Sequence, residues 1–92
     1  MEIKWLKKAL KNIEDIAEYI ALDNIDYAKT EVAKIKHSIN LLKETPSLGK
    51  SGRVTGTREL ITGNYIIPYR VKGNEIQIIR VFHTSQNPTK KW

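Results

Sequence analysis

The chain has no cysteine. That excludes a disulfide framework and any thiolate metal site, and it fits a reducing compartment. Proline and glycine are scarce, at three and five residues, and no repeat, linker or low-complexity tract is present. No apolar run is long enough to span a membrane, and the N-terminal MEIKWLKKALKN lacks the apolar stretch of a signal peptide. The expected location is therefore the cytoplasm. Acidic residues are nearly missing from the second half. Residues 49–92 hold only Glu59 and Glu75 against Lys50, Arg53, Arg58, Arg70, Lys72, Arg80, Lys90 and Lys91, so 8 − 2 = +6. Residues 1–48 hold eight basic and eight acidic side chains and balance at zero, so the second half carries the whole net charge of +6. So one-sided a charge points to an acidic partner.

What is present suits one small domain spanning residues 1–92. Ninety-two residues with 40% hydrophobic side chains lie near the lower limit for an independent core. Marginal stability is expected. Ile3 and Trp5 alternate with Glu2 and Lys4, which predicts a short first strand. From Lys7 the period changes. Ala9, Leu10, Ile13, Ile16, Ala17 and Ile20 fall on one helical face, and Lys7, Lys8, Lys11, Glu14, Asp15 and Glu18 cover the other. LDNID interrupts this helix, and Asn24 is placed to cap the next, with Asp26 in its first turn. Ala28, Val32, Ile35, Ile39 and Leu42 recur every three or four residues until Thr45-Pro46 stops the helix. Two amphipathic helices with a short join predict a helical hairpin.

LGKSGRVTG reads as a loop. Beyond it TRELIT, NYIIPYRVK and EIQIIRVFH have period two and predict three antiparallel strands in a meander, with turns at Gly63-Asn64 and Gly73-Asn74. The fold class is therefore α+β: strand, helical hairpin, meander. A two-residue turn at Gly73-Asn74 pairs Lys72 with Glu75, Val71 with Ile76, Tyr69 with Ile78, Ile67 with Arg80 and Tyr65 with Phe82. That face should pack on the helices. The opposite face then holds Asn64, Ile66, Pro68, Arg70, Gln77, Ile79, Val81 and His83. Four of these eight are apolar, which is much for a sheet surface open to water. Pro68, without an amide proton, should mark an interruption of the ladder or an edge. The expected core includes Trp5, Leu10, Ile13, Val32, Ile35, Ile39, Tyr69 and Ile78.

The chemistry-bearing residues are few. His37 lies off the apolar stripe and should be solvated. No HExxH, phosphate-binding loop, dinucleotide fingerprint or Ser-His-Asp signature is present, so neither metal nor cofactor is expected. Carboxylate pairs are missing from the basic half, against glycosidase chemistry. Cleavage of RNA by its own 2′-hydroxyl remains open. It needs an acid, a base and cations around the phosphate. His83 offers the first two roles, and Arg53, Arg58, Arg70 and Arg80 offer the third. A strand-end histidine with no catalytic role is the alternative.

The string GRVTGTRELITGNYIIPYRVKGNEIQIIRVFHTSQNP resembles the C-terminal half of the RelE/ParE superfamily of type II toxins. WLKKALKNIEDIAEYIALDN resembles that superfamily's first helix, and ETPSLGKSGR the loop after its helix pair. The resemblance covers nearly the whole chain. It implies the same strand, helical hairpin and meander, and a toxin neutralised by an acidic antitoxin that wraps it. In the ParE-like branch the target is DNA gyrase, poisoned by binding. In the RelE-like branch the toxin is a ribosome-dependent mRNA endonuclease. RelE-like nucleases carry lysines on the first meander strand and an arginine early in the second. Thr57, Glu59 and Ile66 stand at those positions here, and no terminal helix with a catalytic tyrosine follows His83. The gyrase reading is therefore preferred, with the nuclease as alternative. For the nuclease the catalytic set would be His83, Arg58, Arg70 and Arg80. For antitoxin binding the expected surface is Ile66, Arg70, Ile79, Val81 and His83, extended or partly covered by Lys90, Lys91 and Trp92.

Overall fold

The change of period at Lys7 is a change of structure. Strand β1 (Glu2–Trp5) gives way to helix α1 (Lys7–Ala21), and helix α2 (Ile25–Asn40) follows a three-residue join. The computed structural model describes residues 1–86; the parts expected of Lys90, Lys91 and Trp92 lie outside the described residues. Asn24 caps α2 as its sequence position predicts, its Oδ1 accepting the Tyr27 amide at 2.9 Å, with Asp26 in the first turn. A 3-10 turn (Leu41–Lys43) carries Leu42 into the core before Pro46.

The basic half forms most of a mixed sheet. Its strands are β2 (Lys50–Ser51), β3 (Arg58–Thr62), β4 (Tyr65–Lys72), β5 (Glu75–Ile78) and β6 (Phe82–His83). The order is β1-β5-β4-β3-β2, and β6 pairs with β4. Gly63 and Gly73 lead the two hairpin turns with φ of 54° and 61°. A side chain is strained at such φ, whereas glycine adopts it freely. The expected meander is present and is extended at both edges. β1 adds in parallel beside β5, Glu2 opposite Glu75 through Trp5 opposite Ile78. The basic loop contributes β2, which pairs Lys50 with Glu59 and Ser51 with Arg58.

The helices cover one face of this sheet. Ala9, Ile13, Ile35, Ile39 and Leu42 pack against Leu60, Tyr65, Ile67, Tyr69, Ile76, Ile78 and Val81. Of the expected core, Ile13, Ile35, Ile39, Tyr69 and Ile78 are buried, and Trp5 and Val32 are half-buried at its border. Leu10 is a correction. It is 46% exposed because Ala9 and Ile13 take the centre of the stripe, which turns Leu10 to the flank of α1.

Candidate functional site

The run EIQIIRVFH does not form one strand. β5 stops at Ile78, opposite Tyr69, and β6 restarts with Phe82 opposite Ile66 and His83 opposite Tyr65. Two residues of β4, Ile67 and Pro68, thus face three, Ile79, Arg80 and Val81. The Ile79 amide donates to Pro68 O at 2.9 Å, so Arg80 and Val81 share the position opposite Ile67. This is a β-bulge, with one extra residue on one strand. Pro68 has no proton to return across the pair, and the interruption falls at Pro68 as its chemistry predicts. The near pairings Lys72–Glu75, Val71–Ile76 and Tyr69–Ile78 hold. The far ones, Ile67–Arg80 and Tyr65–Phe82, are replaced.

A shift of one residue exchanges the faces. Val81, expected on the open face, is 2% exposed and sits in the core. His83 turns to the helix side, where its ring meets Tyr65 edge-on with centroids 5.4 Å apart. Ile66, Arg70 and Ile79 stay on the outer face. Phe82 joins them through its pairing with Ile66, and Ile61 of β3 stands on the other side of Ile66. The expected surface is thus split between two sides of the sheet.

On the helix side His83 lines a cleft of about 620 Å³ with Asn12, Asp15 and Tyr19 of α1, Tyr65 and Ser85. Its Nδ1 lies 2.7 Å from Ser85 Oγ and accepts the Ser85 amide at 3.1 Å. An N–H donor at Nδ1 assigns the proton of the neutral ring to Nε2. Burial pushes the Tyr65 phenol above its ordinary value. Asn12 was not singled out by sequence reasoning. Its Oδ1 accepts both Arg80 Nε at 2.9 Å and the Val81 amide at 3.0 Å, tying α1 to the bulge. A signal existed: residue 12 lies three after Ala9 and four before Ile16, so it is a lone carboxamide beside the apolar stripe.

Of the four candidate catalytic side chains, Arg58 and Arg70 stand apart from His83, while Arg80 bonds Asn12 at the edge of the His83 cleft. Arg58 donates to Gly49 O at 2.8 Å and Ser47 O at 3.4 Å. It pairs with Tyr69 while His83 pairs with Tyr65, four residues or roughly 13 Å along the strand. Arg80 is held by Asn12, with its guanidinium carbon 4.6 Å above the Phe82 ring. Arg70 is exposed on the outer face, donating to Gln77 Oε1 at 2.6 Å, and Gln77 in turn donates to Glu75 at 2.8 Å. Arg53 bonds Glu59, its amide at 2.8 Å and its Nε at 3.3 Å from Oε2. Burial alone would raise the Glu59 carboxyl. Hydrogen bonds and charge from Arg53, with Lys50 nearby, outweigh it and hold the group below its ordinary value.

A helical hairpin laid on one face of a mixed sheet is a fold shared with chains of two solved toxin–antitoxin systems. One is from the chromosomal ParDE system of P. aeruginosa, at 31% identity and a TM-score of 0.81, covering 90% of this chain and 95% of the other. The second is from the RelBE2 complex of Mycobacterium tuberculosis, at 20% identity and a TM-score of 0.64, covering 89% and 95%, and it shows the fold alone. The family model for the ParE toxin of the type II system parDE matches residues 3–88. The toxin candidate Y4kP of Sinorhizobium fredii (strain NBRC 101917 / NGR234) is 38% identical over 86 residues, 91% of this chain and 88% of its own length. The chain belongs to the ParE toxin family of type II toxin–antitoxin systems.

Proposed function

We propose that this toxin arrests growth by binding and poisoning DNA gyrase, and that it is neutralised in the cytoplasm by a cognate acidic antitoxin. The observation that carries the gyrase reading is the dispersal of the cations. An RNA-cleaving centre needs its base, acid and phosphate-holding cations within hydrogen-bond reach of one phosphate. Arg58, Arg70 and Arg80 instead lie on separate parts of the sheet, each bonded to a neighbour. Glu59, at a position where RelE-like nucleases place a lysine, is occupied by Arg53. A protein that poisons by binding needs only a stable surface.

The antitoxin reading rests on the outer face. Ile66, Ile79 and the exposed Ile61 form an apolar surface bordered by Arg70, suited to an amphipathic acidic segment. Val81 and His83 do not belong to it.

The experiment compares wild type with His83→Gln in growth arrest, DNA cleavage by purified gyrase and mRNA integrity on translating ribosomes. The expected result is gyrase trapped or inhibited, mRNA intact, and little change in His83→Gln. General acid–base catalysis contributes ~10²–10⁴-fold. Ribosomal mRNA cutting abolished by His83→Gln would establish the nuclease reading instead.

A further inference from the structure

We propose that Asn12 is the positioning residue that sets the register of the last strand, and that by doing so it decides which side of the sheet His83 occupies. Two pairings compete for the segment after Ile78. The uninterrupted one continues the hairpin and sets Ile67 opposite Arg80 and Tyr65 opposite Phe82. It keeps every residue in the ladder and puts His83 on the outer face with Ile66. The bulged one sets Tyr65 opposite His83 and Ile66 opposite Phe82. It leaves Arg80 as an extra residue and buries Val81.

The bulge strands the Val81 amide, because Arg80 and Val81 share one partner residue. A buried N–H without an acceptor is unfavourable. Asn12 supplies that acceptor. One oxygen, Oδ1, takes the Val81 amide at 3.0 Å and the side chain of the extra residue, Arg80 Nε, at 2.9 Å. The acceptor comes from α1, so it is present only when the helix is docked on the sheet. Beyond the bulge, Thr84 N donating to Asn64 O at 2.7 Å fixes the shifted register. In the uninterrupted register Val81 would fall opposite Ile66 and its amide would bond within the ladder rather than to Asn12, and the cleft beside α1 would lose His83.

The inference does not depend on the target of the toxin. Its test is a set of through-space proton contacts measured by NMR on the full chain. Wild type gives Tyr65–His83 ring contacts, as the edge-on geometry requires. Asn12→Ala should lose most of their intensity and gain Tyr65–Phe82 contacts. Asn12→Asp, which keeps an acceptor oxygen in place, should retain the wild-type contacts. Removing Arg80 deletes the extra residue, so the regular ladder then places His83 opposite Tyr65 without help. That deletion combined with Asn12→Ala should therefore keep the Tyr65–His83 contacts. A folded Asn12→Ala protein with unchanged Tyr65–His83 contacts overturns the proposal. If Asn12→Ala does not fold, the deletion decides: recovery of fold and contacts in the combined variant supports the role, and failure of the combined variant overturns it.

Discussion

The Tyr69 hydroxyl accepts the Gly49 amide at 2.9 Å across twenty residues of chain. It also donates to Pro46 O at 2.7 Å. One phenol thus holds both ends of the turn that carries the chain from the helices to the sheet.

Tyr69→Phe removes both bonds while keeping the ring. It should cost about 1–3 kcal/mol, since the buried Gly49 amide then lacks its acceptor. Gly49→Ala tests the same closeness from the other side. A Cβ there stands 2.7 Å from Tyr69 Cε1 and 2.9 Å from the Glu59 backbone oxygen, and backbone cannot yield as a side-chain tip can. Urea denaturation should show both variants destabilised, and an unchanged midpoint for Gly49→Ala would contradict the packing described.

The two helix faces make a paired prediction. Ile35 is 1% exposed in the centre of the core, and Ile35→Ala should cost about 2–5 kcal/mol. For a domain of this size that is a large share of its stability. Leu10→Ala, on the exposed flank, should stay within roughly 1 kcal/mol. Denaturation midpoints for the pair check the assignment, and equal losses would show the stripe misplaced.

Glu59 predicts a pH dependence. Its carboxyl is 5% exposed and its folded value is depressed. A depressed value stabilises the fold fully above the ordinary glutamate value of about 4.3. That stabilisation is lost as pH falls through the lower folded value. Glu59→Gln should cost ~1–2 kcal/mol at pH 7, and its gap to wild type should narrow below about pH 4. A gap constant from pH 7 to pH 3 would refute the ionised pair with Arg53.

The outer face predicts a loss of antitoxin affinity without loss of fold. Ile61→Lys alters a residue that is 52% exposed, and Arg70→Glu reverses an exposed cation. Each should weaken binding of the cognate antitoxin about tenfold, equivalent to roughly 1.4 kcal/mol, with little change in melting temperature. Calorimetric titration measures it. Unchanged affinity in both would move the antitoxin to another surface, such as the helical hairpin.

Much of the fold was legible because its causes are local. The period at Lys7, the cap at Asn24, the stop at Pro46 and the glycine turns at residues 63 and 73 each act within a few residues of themselves. Pro68 was the one local mark of the bulge. The position of the bulge was not legible, because the acceptor that stabilises it lies 69 residues away on α1. For the same reason the outer-face residues near the turn, Arg70 and Ile79, were placed correctly, and Val81 and His83, beyond the extra residue, were not. The parallel docking of β1 also escaped, since alternation in four residues names a strand but not its neighbour.

That docking bears on how the protein is born. β1 (Glu2–Trp5) finds its only described partner at Glu75–Ile78, 75 − 2 = 73 residues later. At a synthesis rate of ~5–20 residues per second, the first strand waits roughly 4–15 s for its neighbour to be made. Until then the helical hairpin can form but has no complete sheet to cover. Pairing at such separation is also slow in itself, because loop closure precedes any gain. A chain released before Ile78 leaves β1 without its full pairing, so an interrupted message yields fragments without a finished sheet.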